Sequence, residues 1–174
     1  MECLCNNWLC NNWLSLLSIV VSFIVPFLLY TLKPKLKIEK LELGVLNDIK
    51  VKVINQRCCS HAINVNIEMC LINKAKETYH LEIDKGAFLI IPRKKNKEKE
   101  DNWRYFKAVD LCKTTKERYW EKDFASFIRE MVKVQGATIR IRVYATHSLT
   151  GFGRARSKRF QYNEKENKFV IVKK

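Results

Sequence analysis

The chain has 174 residues, room for one ordinary domain and an appendage but not for two domains with separate cores. Apolar side chains make up 47% and charged ones 29%, with five glycines and three prolines, which excludes wholesale disorder and collagen-like repetition. Lys and Arg number 33 against 18 Asp and Glu, a net charge of +15 that points to anionic partners.

The first residues hold a short repeat, Leu4-Cys5-Asn6-Asn7-Trp8 followed by Leu9-Cys10-Asn11-Asn12-Trp13, too brief for a repeat architecture. Residues 13–32 carry no charge, and a helix of that length covers roughly 30 Å, the thickness of a bilayer's hydrocarbon core. Trp8, Trp13 and Tyr30 sit where interfacial rings are expected, and Pro26 is tolerated in a membrane span. A cleaved signal peptide is disfavoured, because no Lys or Arg precedes the run and Lys33-Pro34-Lys35 follows it. The expectation is a transmembrane helix over 13–32 with an extracytoplasmic stub at 1–12. Lys33, Lys35, Lys37, Lys40, Lys50 and Lys52 then place residues 33–174 in the cytoplasm of a single-pass cell-membrane protein. Ser15, Ser18 and Ser22 form a small polar stripe suited to self-association of that helix. Cys3, Cys5 and Cys10 are candidates for cross-linking two copies outside, whereas Cys58, Cys59, Cys70 and Cys112 are expected as free thiols inside.

Period-two alternation dominates from residue 36 onward. Ile49, Val51 and Val53, then Ile63, Val65, Ile67, Met69 and Leu71, then Ile139, Ile141, Val143 and Ala145 each alternate with largely polar residues. That is the signature of strands with one face buried and one wet. Further strands are expected over 36–43, 79–84, 87–92, 105–111, 154–162 and 169–173, with a bulge near Glu39 and Lys40 where the apolar parity switches. Phe124, Phe127, Ile128 and Met131 fall at helical spacing, with Asp123 placed to cap and Gly136 beyond the end, and this helix is expected to cover an open end of the sheets. Residues 93–104 are a dense mixed-charge run, read as a solvated loop. The expected fold class is mainly β: the transmembrane helix followed by an antiparallel immunoglobulin-like β-sandwich with one short helix.

Few constellations carry chemistry. Cys58-Cys59-Ser60-His61 lacks the second ligand pair of a structural zinc site, and its adjacent side chains point apart in a turn. His80 or Cys112 would complete such a site only by a coincidence of folding. His147-Ser148-Leu149-Thr150-Gly151-Phe152-Gly153 has neither the nucleophile elbow nor phosphate-loop spacing and reads as a hairpin turn. No catalytic residue, metal or cofactor is therefore expected. The strongest feature is basic: Arg140 and Arg142 share the outward parity of one strand, and Arg154, Arg156, Lys158 and Arg159 lie on its neighbour.

The layout of a strand over 50–55, a turn with His61, a second strand over 62–73 and a late strand closing in Tyr144-Ala145-Thr146-His147-Ser148-Leu149-Thr150-Gly151 resembles the immunoglobulin-like cytoplasmic domain of inward-rectifier potassium channels. The resemblance covers residues 36–172 and implies the sandwich fold alone. The second span and the Thr-Val-Gly-Tyr-Gly filter of those channels do not occur, so channel activity does not carry over. The expected function is a non-enzymatic, membrane-anchored interaction module: an adaptor, or an effector that oligomerises. Its partners are membrane lipid, a second copy of itself, and an unidentified protein or anionic ligand. The alternatives are a sensor of nucleotide or nucleic acid using the basic sheet face, and an enzyme using His147 or His61 with a cysteine. The nucleic-acid reading ranks lower for want of an aromatic platform.

Overall fold

The computed structural model describes residues 4–31, 33–44, 48–58, 60–84, 90–94, 102–112 and 123–172, with side chains in the first segment over 12–28. The chain divides into two compact units, Met1–Lys33 and Pro34–Lys174.

The first unit is one helix, α1 (Leu4–Thr31), which runs through both copies of the five-residue repeat. Among the described residues no helix is long and apolar enough to cross a membrane. This overturns the expected transmembrane helix, the single-pass membrane placement and the assignment of inside and outside that rested on it. Ser15, Ser18, Ser22 and Pro26 interrupt the apolar run of α1. Cys3 and the side chains of Cys5 and Cys10 lie outside the described residues.

Among the described residues the second unit is built on eight strands: β1 (Leu36–Leu43), β2 (Ile49–Asn55), β3 (Ala62–Ile72), β4 (Thr78–Ile83), β5 (Trp103–Leu111), β6 (Thr138–His147), β7 (Gly153–Asn163) and β8 (Lys168–Ile171). All pair antiparallel in one sheet of order β1-β2-β5-β4-β3-β6-β7-β8. β1 comes round to lie against β7 and β8, and Lys158 Nζ donates to the Ile38 carbonyl at 2.8 Å across that seam. The architecture is therefore mainly β, as a single nearly closed sheet rather than the two facing sheets of a sandwich. The physical reason is strand order: β5 and β4 insert between β2 and β3, so every inward side chain points at one shared interior. Leu36 and Ile38 from β1, Val51 and Val53 from β2, Met69 and Leu71 from β3, Ile139, Ile141 and Val143 from β6 and Phe160 from β7 belong to one cluster. Apolar burial of that kind is the main force holding the sheet closed.

Local chemistry places the irregularities. The β1–β2 register shifts between Ile38 and Lys40, where the switch of apolar parity predicts a bulge. A second shift, between Ile63 and Asn66 in the β3–β6 pairing, coincides with Asn64 at φ +49° and rotates Ile63 off the inner face, so that Ala62 takes the buried position instead. Of the strand expected over 87–92, only Ile91 is seen pairing, in an isolated bridge to Ala62; residues 85–89 lie outside the described residues. Of the charged loop expected over 93–104, Trp103 and Arg104 belong to β5, and 95–101 lie outside the described residues.

The short helix α2 (Phe124–Arg129) continues into a π-helical turn (Glu130–Val134), with Phe127, Ile128, Met131 and Val132 buried. Phe127 meets Tyr79 of β4 edge to face at 5.6 Å between ring centres. Asp123 is the N-cap but makes no side-chain capping bond, and Gly136 takes the positive φ (+63°) that ends the segment.

Candidate functional site

The register of β6 and β7 decides which basic side chains share a face. Arg140 pairs with Arg159, Arg142 with Ser157, Tyr144 with Ala155 and Thr146 with Gly153. Their neighbours on β6, Ile139, Ile141, Val143 and Ala145, are fully buried, so Arg140, Arg142, Tyr144 and Arg159 belong to the outer surface. Arg154, Arg156 and Lys158 pair with Ala145, Val143 and Ile141 and occupy the other face of β7, the side of Phe160. The six basic residues singled out in the sequence are thus divided, three to each face. Lys158 is committed to the seam through Ile38.

The outer trio concentrates charge against local stability. Arg140 and Arg159 stand directly opposite one another, a like-charge pairing that a ladder ordinarily avoids. Arg142 lies 3.7 Å from a Glu68 carboxylate oxygen, and among the described residues Arg159 has no carboxylate within ion-pair distance. Beside them the Tyr144 ring leans over β7 at Gly153, where any Cβ would collide with it. Glycine there allows the ring's close approach, and a larger residue would have to push the ring aside. Tyr144 remains 43% exposed, so the outer surface carries an accessible aromatic ring next to the arginines. The sequence expectations do not include this ring, although its parity with Arg140 and Arg142 is a signal that could find it.

Three donor atoms converge on the neighbouring part of the same surface. Cys70 on β3 pairs with His80 on β4 and with Arg140 on β6. Cys70 Sγ lies 3.5 Å from Glu68 Oε1 and 3.4 Å from His80 Nδ1, and the latter two atoms are 3.8 Å apart. Cys70 is fully covered, whereas the side chains of His80 and Glu68 are 49% and 39% exposed. Burial pushes the Cys70 thiol up from its usual range and Glu68 adds to the rise, while Arg140, with an N–H 3.9 Å from Sγ, opposes it. His80 thus finds its cysteine on the adjacent strand, not in the Cys58-Cys59 turn that the sequence offers as its partner.

The two histidines weighed for catalysis have structural duties. His147 is 1% exposed at the end of β6 and accepts the Leu149 N–H at Nδ1 (3.3 Å). Burial lowers its pKa, with the Arg57 charge adding to the effect. His61 accepts the Arg93 N–H at Nδ1 (3.3 Å). The turn from 56 to 61 is held by buried Asn55, whose amide donates to the Ser60 carbonyl at 2.9 Å and whose oxygen accepts from the Arg57 N–H at 3.1 Å. Cys58 is exposed on that turn, and Cys59 lies outside the described residues.

A cavity of about 230 Å³ opens between the β3–β4 hairpin and α2 and includes Glu77 and Glu130 in its lining. Glu77 is engaged within it, accepting from Tyr79 Oη and Asn73 Nδ2, both at 2.7 Å. Ser15, Ser18 and Ser22 all fall within α1, and Ser22 Oγ donates to the Ile19 carbonyl at 2.7 Å, a bond within its own helix. No protein-family model matches the chain, and no curated protein matches it.

Proposed function

We propose that the protein is a non-catalytic binding module whose β6–β7 outer face receives an extended polyanion, with single-stranded nucleic acid as the chemistry that fits best. The observation that carries this reading is the placement of the exposed Tyr144 ring, seated over Gly153, in one face with Arg140, Arg142 and Arg159. Same-face residues two apart on a strand are about 6.6–6.8 Å apart, comparable to the step between successive phosphates of an extended single strand. A ring on that surface offers a base a stacking partner without demanding a particular sequence.

The test is fluorescence anisotropy of a labelled single-stranded oligonucleotide with the full chain, between about 50 and 200 mM salt. Replacing Arg140, Arg142 and Arg159 together by Ala is expected to reduce the salt slope by about two, at roughly 0.7 for each phosphate that an arginine neutralises. Tyr144→Ala is expected to weaken binding by about 1–3 kcal/mol per stacked base while leaving the salt slope in place. Absence of binding at the lowest salt, or a slope that the triple variant does not change, overturns the reading.

A further inference from the structure

Beyond any role in binding a polyanion, the geometry points to a divalent transition-metal site, of the zinc type, formed by Cys70 Sγ, His80 Nδ1 and Glu68 Oε1 on the outer surface of β3 and β4. Four-coordinate zinc with bonds of about 2.3 Å to sulfur and 2.0–2.2 Å to nitrogen and oxygen sets its ligand atoms about 3.4–3.6 Å apart. The three separations here, 3.5, 3.4 and 3.8 Å, match that triangle to within a few tenths of an ångström. The positions are held by a ladder, since Cys70 and His80 face each other across β3–β4 and Glu68 is two residues along β3 on the same face.

The chief rival for a Cys–His–Glu group is a nucleophilic relay. In a relay the imidazole lies between its partners, taking the thiol proton at one ring nitrogen and meeting the carboxylate at the other. Here both the sulfur and the carboxylate oxygen approach the same nitrogen, Nδ1, so the three donor atoms form one compact triangle with no imidazole between the other two.

Charge supports the assignment. A thiolate and a carboxylate neutralise a divalent cation, and the Arg140 N–H near Sγ at 3.9 Å is an outer partner that steadies the thiolate. Arg140 and Arg142 also oppose an incoming cation, so the site depends on both anionic ligands. Binding breaks the Cys70 S–H bond, forms the S–metal bond and releases one proton to solvent, which makes affinity rise with pH. Three protein ligands leave a fourth position for water or another donor.

The experiment titrates the metal-free full chain with Co²⁺ as a spectroscopic probe and then adds Zn²⁺. One equivalent of Co²⁺ is expected to produce a thiolate-to-metal charge-transfer band and the intense visible bands of four-coordinate cobalt, both bleached by Zn²⁺. Cys70→Ser abolishes the charge-transfer band, His80→Ala and Glu68→Gln lower affinity by more than about tenfold, and Cys112→Ser retains the spectrum. Cys70→Ala, with circular dichroism to confirm the fold, separates loss of the ligand from loss of structure. Retention of the spectrum in folded Cys70→Ser or Cys70→Ala, or only weak six-coordinate bands in the unmodified chain, overturns the site.

Discussion

Two outer surfaces of the same sheet carry clustered cations, and they handle them in opposite ways. On β2 and β5, Lys50 and Lys107 each lie 3.3 Å from the same Asp48 oxygen. Lys52 there is 3.2 Å from Glu39 and sits over the Trp103 ring at 4.8 Å. On β6 and β7, Arg140 faces Arg159, and among the described residues the carboxylate pairing on that face is Glu68 with Arg142. The first surface pairs its lysines with Asp48 and Glu39, whereas on the second Arg140 and Arg159 have no carboxylate within ion-pair distance among the described residues. A net charge of +15 cannot distinguish the two; strand register can.

The sharpest way to break this contrast is to detach β7. Phe160 is the fully buried side chain of that strand, in one core cluster with Ile49, Val51 and Val53 of β2. Phe160→Ala is expected to destabilise the unit by about 3–5 kcal/mol in urea denaturation and to weaken polyanion binding with it. The corresponding Val51→Ala should cost less, because Ile49 and Val53 on the same strand keep β2 anchored.

Asp48 offers the reverse perturbation. Burial alone would raise its pKa, but the hydrogen bonds and charges of Lys50 and Lys107 override that and hold the carboxyl below its usual value. The approach is close enough that a Cβ at Gly44 would collide with the Asp48 carboxylate. Asp48→Asn is expected to cost about 1.5–3 kcal/mol, the range for hydrogen bonds to charged groups. It also frees two lysines, so the β2–β5 surface should gain salt-dependent oligonucleotide binding that it otherwise lacks. Anisotropy measured on this variant with the β6–β7 arginines removed isolates that gain.

The smallest effect is one of pH. His147 has its folded pKa below the ordinary value, so the unfolded chain binds the extra proton first as pH falls. Its stabilising contribution is complete above the unfolded value of about 6.5 and declines below it toward the folded pKa. The Asp48 contribution declines only lower, as pH falls from the ordinary Asp value toward its depressed folded pKa. His147→Gln should flatten the stability profile below about pH 6.5 and leave the Asp48 leg in place, as read by urea midpoints across pH.

Much of the secondary structure is legible in the sequence because alternation is local. Ile139, Ile141, Val143 and Ala145 announce β6, and the switch of parity after Ile38 marks the bulge in β1. Closure into one sheet is not legible, since it depends on β5 and β4 lying between β2 and β3, pairings that no short window contains. The basic residues of β7 are misgrouped in the sequence for a related reason. Arg154, Arg156 and Lys158 occupy the parity of buried Phe160 beside the seam, where the inner face of the strand no longer has to be apolar. The Cys70–His80 juxtaposition is within reach of sequence, because the hairpin that pairs Ile72 with Thr78 fixes it two residues further along each strand. Adjacent or doubled cysteines, the pattern that draws attention to Cys58 and Cys59, are the wrong spacing for ligands that meet across a ladder. The uncharged run of α1 shows the opposite failure, a long local pattern whose lack of charge suggests a membrane crossing that the helix does not support.

The Lys158 clasp on Ile38 gives the cylinder a hem. Among the described residues, seven antiparallel pairings join each strand to its neighbour, but around the last step of the circumference a side chain spans the gap in place of a ladder. Such a structure has a preferred place to unbutton, and widening there would part β1 from β7 and β8 before disturbing any other pairing.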